Sequence, residues 1–274
     1  FLLTSQEVST KVGEFIEEKL TETNKSASVD LDNPDQTIYI EIIDQRAFVF
    51  RKKVDGPGGM PTATVGKVVS LISAGIDSPV AAWKMMRRGC KNIFCHFHSF
   101  PFTNKESKIN AKRMAEQISS WQLGGKFYSI NIQQIQKEII KEVPEKLRLI
   151  FYRRAMFKLA EMLAEKEGAE GLITGESVAQ VASQTLENMR ATSQAVDLPI
   201  YRPNIENDKR EVVEQAKRLG TFEIATESVK DCCSYMISDH PETKASVGQV
   251  LEIEEKLELE KFYEEALETP KSET

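Results

Sequence analysis

The sequence predicts an α/β protein: a parallel sheet covered by helices on both faces, preceded by a small α+β segment. Three observations predict it. From residue 67 onward, short apolar runs alternate with longer stretches of helical periodicity, the pattern of βαβ units. The first of these runs passes through a turn of small residues directly into a helix, VVSLISAGIDSPVAAW at 68–83. Ahead of it, GPGGMPTATVG (56–66) is dense in Gly and Pro and separates two differently patterned halves.

Each element follows in order. Residues 5–20 repeat apolar side chains at helical spacing (Val8, Val12, Phe15, Ile16, Leu20) behind Thr4 and Ser5, both suited to capping. SVDLDNPDQTIYIEIIDQRAFVFRKK then gives three short alternating runs broken by Asn-Pro and Asp-Gln, so antiparallel strands are expected there. Beyond the linker, apolar runs at 67–73, 91–97, 126–132 and 170–174, with a weaker one at 198–202, are the expected strands. Helical stretches are expected at 79–88, 105–121, 149–167, 178–189 and 208–219. Strand–helix–strand units of this kind are right-handed and yield a parallel sheet. The last segment, LEIEEKLELEKFYEEALE, is expected as a surface helix with a fraying tail. The expected organisation is therefore 1–55, a linker at 56–66, a main domain at 67–250, and an acidic segment at 251–274.

Composition narrows the class. The chain has 274 residues, 41% of them hydrophobic and 28% charged, which is ordinary for a globular protein. No run approaches the roughly eighteen apolar residues of a membrane span. Neither Phe1 nor the following LLTSQEVSTK carries a signal-peptide pattern, and a start upstream of Phe1 is expected. Four cysteines, Cys90, Cys95, Cys232 and Cys233, form no spaced framework, which fits a reducing cytoplasm. Residues 251–274 hold nine acids and three bases and so carry the whole net charge of −6. The remainder is neutral, with basic clusters at Arg51-Lys52-Lys53, Arg87-Arg88, 105–113 and Arg153-Arg154. These are either solvated helix faces or a surface for a polyanion.

In a parallel sheet, ligands bind beyond the carboxyl ends of the strands. Three loops fall there: the turn at 73–78, CHFHSF at 95–100 and TGES at 174–177. The turn places Ser73, Gly75, Asp77 and Ser78 at a helix start, where free N–H groups and the helix dipole favour an anion. Gly permits close backbone approach. Asp77 repels phosphate, so it suits either an Mg²⁺ anchor or an N-cap. The turn lacks the Gly-Lys-Ser/Thr ending of a Walker A loop. On its own it is equally readable as a capped helix start.

SAGIDS resembles the SGGxDS signature of the PP-loop ATP pyrophosphatases (adenine nucleotide α-hydrolase-like fold). HFHSFPFT, LITGESVAQVASQTLENM, YRPNIENDKREVVEQAKRLGT and DCCSYMISDHPETKA, with the turn itself, are similar to the tRNA 4-thiouridine synthase family over roughly residues 5–260. The resemblance implies a PP-loop domain behind the last part of a THUMP domain, the RNA-gripping module, in residues 1–55. It implies a tRNA sulfurtransferase that adenylates a uridine with ATP and Mg²⁺ and replaces its C4 oxygen with sulfur, with thiazole synthesis for thiamine as a further role. Its implied partners are tRNA and a cysteine desulfurase that donates persulfide. Oligomeric state stays open, a homodimer included.

Carried over position by position, the resemblance implies ATP contacts at Leu71, Ile72, Ser73, Gly75, Asp77, Ser78, His96, Phe97, Arg153, Gly175 and Gln184. Asp77 is implied as catalytic and as the Mg²⁺ ligand. Leu71 and Ile72 are also readable as strand core, and His96 as a capped core residue. Cys232 holds the family's spacing from Gly220-Thr221 and is the implied sulfur-handling thiol, with Cys233 as a secondary one. Cys90 and Cys95 are assigned to the core.

One position departs from the signature. Its second Gly is Ala74 here. If that residue needs positive φ, Ala costs about 1 kcal/mol; otherwise it costs little. A PP-loop enzyme acting on another substrate and a non-catalytic RNA-binding remnant are the competing readings.

Overall fold

Thr4 starts the first helix through reciprocal hydrogen bonds. The computed structural model describes residues 3–102, 105–227, 238–268 and 272–273. In it the Glu7 N–H donates to Thr4 Oγ1, and the Thr4 N–H donates to Glu7 Oε2 at 2.7 Å, a capping box that opens α1 (Ser5–Glu22). Two strands follow, β1 (Tyr39–Ile43) and β2 (Arg46–Phe50), paired antiparallel with Ile43 opposite Arg46. Of the three alternating runs expected here, the first is a turn. Asp30 Oδ1 accepts from the N–H groups of Asp32 and Asn33, each at 2.9 Å, and that local bonding competes with strand pairing.

The chain divides into two compact units, Phe1–Gly58 and Gly59–Thr274. The second holds the sheet. β3 (Gly66–Leu71) leads into α2 (Asp77–Met86), then β4 (Cys90–His98), α3 (Glu106–Ser119), β5 (Phe127–Asn131), α4 (Gln133–Glu142) and α5 (Arg148–Glu167). β6 (Leu172–Ile173), α6 (Leu186–Ser193), β7 (Ile200–Tyr201), α7 (Lys209–Leu219) and α8 (Phe222–Thr226) come next. α9 (Val247–Glu254), α10 (Glu260–Glu268) and β8 (Ser272–Glu273) complete the described elements. The strand order is β7-β6-β3-β4-β5-β8, parallel from β7 to β5, with β8 antiparallel at the edge. This is the α/β architecture that the alternating pattern predicts.

Period-two alternation builds both faces. On β4, Ile93, Cys95 and Phe97 join the core formed with α4 and α5, while Phe94 packs against Ala111, Met114, Ala115 and Ile118 of α3. Cys90 and Cys95 are both buried. α5 is the central helix of the first face. Its Phe151, Ala155, Leu159 and Leu163 are each at most 2% exposed.

Besides that first run, α8 and β8 were not expected, and three regions depart further from the sequence reading. α4 was not expected: its Ile135 and Ile139 pack inward, but the helix begins two residues after β5 and the two apolar patterns merge. The helix expected at 178–189 starts only at Leu186, where Thr185 Oγ1 accepts from the Asn188 N–H. Val178 and Val181 are exposed, and Ala179 between them takes φ 58°, a conformation no helix uses. Finally, the acidic C-terminal segment is two helices rather than one surface helix. Val250, Leu257, Leu259 and Tyr263 join the α5 core, and buried Arg154 donates from Nε to Glu254 Oε1 at 2.7 Å.

Leu163→Ala removes a fully buried side chain from that core. It is expected to cost about 2–5 kcal/mol in urea denaturation, moving the midpoint without changing the slope.

Candidate active site

β3 ends at Leu71, opposite Cys95 of β4, and the turn leaves the sheet there. The Ile72 N–H still donates to the Cys95 carbonyl at 2.8 Å. Beyond it the turn closes on its own serines. The Ser73 N–H donates to Ser78 Oγ at 2.9 Å, the two hydroxyls lie 3.1 Å apart, and the Gly75 N–H donates to Ser73 Oγ at 3.2 Å. The cap position of α2 is Ile76, which has no side-chain acceptor; Asp77 is the first helical residue and not the N-cap. The first-turn N–H groups are therefore not consumed by a capping side chain, which favours an anion. Ala74 lies outside the left-handed region, so replacing Gly there carries no backbone penalty. At Gly75, an added Cβ would come near only Ser73 Oγ, at 3.4 Å, so the space above the turn is open.

A cavity of about 160 Å³ opens at this end of the sheet. Its floor is Leu71, Ile72, Ser73, Asp77 and Ser78; His96 and Phe97 come from β4, Arg153 from α5, and Gly175 and Gln184 from the loop after β6. Gly75 is the one residue of the expected set that does not line it. Cys232 and Cys233 lie outside the described residues.

The walls divide by chemistry. Leu71, Phe97, Met156 and Phe157 offer apolar surface for a flat ring, while the serines, Asp77 and Arg153 offer polar groups. His96 is 1% exposed, and its Nδ1 lies 2.9 Å from the Ile72 carbonyl. A carbonyl only accepts, so Nδ1 carries a proton, and Nε2 lies 3.4 Å from Ser107 Oγ. Next along the strand, burial, with help from His96 and Lys108, drives the pKa of His98 down to about 4. His98 accepts from the Phe100 N–H through Nδ1 at 3.3 Å, which requires the neutral ring.

Several residues of the site carry no local signal that the sequence reading used. Lys209, at the start of α7, donates to both oxygens of Asp77, at 3.1 and 3.0 Å, and Gln180 Nε2 lies 3.4 Å from Oδ2. Glu176 is 1% exposed. Its Oε1 accepts from Arg153 Nη2 at 2.5 Å, and its Oε2 accepts from Arg202 Nε at 2.7 Å and Thr174 Oγ1 at 3.0 Å. Burial alone would raise the Glu176 pKa, but the two guanidinium groups outweigh it and hold the carboxyl below the ordinary range. Asn204, fully buried, donates from Nδ2 to the Asp77 carbonyl at 2.8 Å. TGES and YRPNIEND stood out as motifs, but not as the holders of these contacts.

A serine-lined turn between the central strand and its helix, facing a cavity lined by both polar and apolar side chains, defines a PP-loop nucleotide-binding domain. The family model described as thiamine biosynthesis protein (ThiI) matches residues 63–259, and that of the THUMP domain matches residues 1–51. The chain belongs to the ThiI family. It is 40% identical over 262 residues to a "Probable tRNA sulfurtransferase" of Caldanaerobacter subterraneus, covering 96% of this chain and 68% of that one. It is 39% identical over 267 residues to a protein of the same description from Thermus thermophilus, covering 97% and 64%. Among solved structures, a 4-thiouridine synthetase–RNA complex with bound ATP superposes with a TM-score of 0.87 at 35% identity, covering 99% of this chain and 70% of that one.

Two outcomes follow from the geometry. A Cβ on Gly175 would sit 2.6 Å from the Ser78 nitrogen and 2.7 Å from the Asp77 carbonyl carbon, both backbone. Gly175→Ala is therefore expected to push the 174–177 loop off α2 and weaken nucleotide binding at least about tenfold by calorimetry, while Gly75→Ala leaves the melting temperature unchanged. For His98, the folded state holds the pKa below its ordinary 6.5, so its contribution to stability is full above pH 6.5 and declines as pH falls toward about 4. His98→Asn is expected to flatten the fall in thermal midpoint across that window.

Proposed function

We propose that this chain is an ATP-dependent tRNA sulfurtransferase that adenylates a tRNA uridine and exchanges its C4 oxygen for sulfur, giving 4-thiouridine. One observation carries the reading. The serine turn, Asp77 and Arg153 line a single cavity together with the apolar side chains Leu71, Phe97, Met156 and Phe157, in a chain of the ThiI family. ATP would place its ring against Leu71, Phe97, Met156 and Phe157, and its phosphates over Ser73, Gly75 and Ser78.

The chemistry then runs in two steps. The uridine O4 attacks the α-phosphorus, the bond to the bridging oxygen breaks, pyrophosphate leaves with the electron pair, and the N3 proton is released. The terminal sulfur of a persulfide then bonds to C4 as the C4–O bond breaks, with AMP as leaving group. A second thiolate attacks the inner sulfur, the S–S bond to the transferred sulfur breaks with its electron pair going to the 4-thio group, and the disulfide so formed is returned to thiols by an external thiol reductant. The first step develops negative charge on the departing pyrophosphate, which the α2 N-terminus and the Lys209 ammonium would offset, while Arg153 would hold the phosphates of the bound nucleotide. Among the described residues, no three His, Cys, Asp or Glu gather to hold a metal. Mg²⁺ needs only one or two carboxylates when phosphates supply other ligands, so Asp77 fits as its protein ligand, and the ion would neutralise phosphate charge.

In this reading Cys232 handles the sulfur by persulfide or disulfide exchange, with Cys233 as a secondary thiol and a cysteine desulfurase as donor. The THUMP unit binds tRNA, and sulfur transfer for thiamine synthesis is a second outlet. A homodimer is the assembly to test by light scattering. Among the described residues no helix is long and apolar enough to cross a membrane, and the reading places the enzyme in the cytoplasm.

The test reads adenylation and thiolation separately. Asp77→Ala is expected to abolish tRNA-dependent pyrophosphate release, since it removes the carboxylate proposed to hold Mg²⁺, while circular dichroism stays native. Cys232→Ser is expected to keep pyrophosphate release within about twofold of wild type but to form no 4-thiouridine. Pyrophosphate release that ignores tRNA would instead point to another substrate, and Cys232→Ser thiolation equal to wild type would remove that residue from the reaction.

A further inference from the structure

Glu176 cannot itself contact a phosphate. It is buried at 1% exposure and carries negative charge. Both its oxygens are taken, Oε1 by Arg153 and Oε2 by Arg202 and Thr174. The two arginines are not equivalent. Arg202 is tied down behind the carboxylate, donating from Nη2 to Ser193 Oγ at 2.7 Å. Arg153 reaches the carboxylate from the other side, lines the cavity, and packs over the Phe157 ring with its guanidinium carbon 5.8 Å from the centroid.

The backbone beside Glu176 is fixed as well. Gly175 is pressed against the backbone of Asp77 and Ser78, so the carboxylate that follows is set at a defined reach from the turn. Ser177, next again, donates from Oγ to the Asn204 carbonyl at 2.9 Å, and Asn204 in turn holds the Asp77 carbonyl. One tetrapeptide thus touches the turn with its second residue and grips Arg153 with its third.

Resting on the ATP reading above, we propose that Glu176 is a positioning residue that sets Arg153 against the nucleotide phosphates. Its single negative charge lies between two positive ones, leaving a net positive charge at the cavity wall. Without the carboxylate, two guanidinium groups would share one buried space with nothing between them. Arg153, which lines the cavity, would lose the ion pair that holds it there and swing away from the turn.

The experiment measures ATP affinity by calorimetry and pyrophosphate release at varied ATP, on the full chain with tRNA. Glu176→Gln keeps the shape and removes the charge. It is expected to weaken ATP binding about tenfold and raise KM for ATP about as much, with kcat within about threefold of wild type. In an Arg153→Met background, which is itself weakened, Glu176→Gln is expected to add nothing, because its effect passes through Arg153. Glu176→Asp keeps the charge at shorter reach and is expected to restore part of the affinity; it also serves if the Gln variant does not fold. Additive losses in the double variant, or unchanged KM in Glu176→Gln, would overturn the proposal. Failure of the wild-type chain to bind ATP at all would instead overturn the ATP reading.

Discussion

At Gly175 two backbones come closer than any side chain allows, and the site depends on that contact. The loop after β6 lies against the first turn of α2, and a single Cβ would fall within 3 Å of three of its backbone atoms. Because β6 and β3 are parallel neighbours, the loops that leave them emerge at the same end of the sheet. Closeness there turns two separate loops into one surface. The turn supplies hydroxyl and N–H groups, the β6 loop supplies a carboxylate, and α5 crosses behind with Arg153. Move the loop outward and Arg153 loses its anchor while the turn loses its support.

Electrostatics follow from the same packing. The described site holds two acids, Asp77 and Glu176, and each is paired with cations from distant elements: Lys209 from α7, Arg153 from α5, and Arg202 from the segment after β7. The two pairs differ in burial. Asp77 is 24% exposed and can exchange partners with a ligand, whereas the carboxylate of Glu176 is 1% exposed and cannot do so without leaving buried charge uncompensated. Glu176 is therefore part of the framework, whereas Asp77 keeps a partner it can exchange, although both are single carboxylates beside the same cavity.

The fold was legible because its signals are local. Apolar runs and helical periodicity mark β3, β4, β5, α3, α5 and α7 to within a few residues, and the small-residue turn marks the working end of the sheet. What stayed hidden depends on tertiary contact. Glu176 and Arg153 are 23 residues apart, and Asp77 and Lys209 are 132 apart; no spacing rule reaches across such separations. The stretch 178–189 misleads in the opposite way. Val178 and Val181 mimic a helical face, but both are exposed, and Ala179 in the left-handed region ends any helix between them. The acidic C-terminus misleads by charge: nine acids suggest a solvated helix, yet Leu257, Leu259 and Tyr263 carry enough apolar surface to bury it against α5.

That last contact gives α5 a second task. The helix presents Arg153 to the cavity and, one residue on, Arg154 to the C-terminal helices. Adjacent helical residues point about 100° apart, so one turn can serve two faces. Arg154 is 3% exposed and is held by Glu254 and the Ala191 carbonyl, an arrangement that fixes both the rotation and the depth of this turn. A helix fixed in rotation at Arg154 has little freedom in where it points Arg153. The nearer constraint, Glu176, then has only the side chain left to orient. Placement of one guanidinium is thus divided between a backbone held from behind by α9 and a rotamer held from the front by the β6 loop.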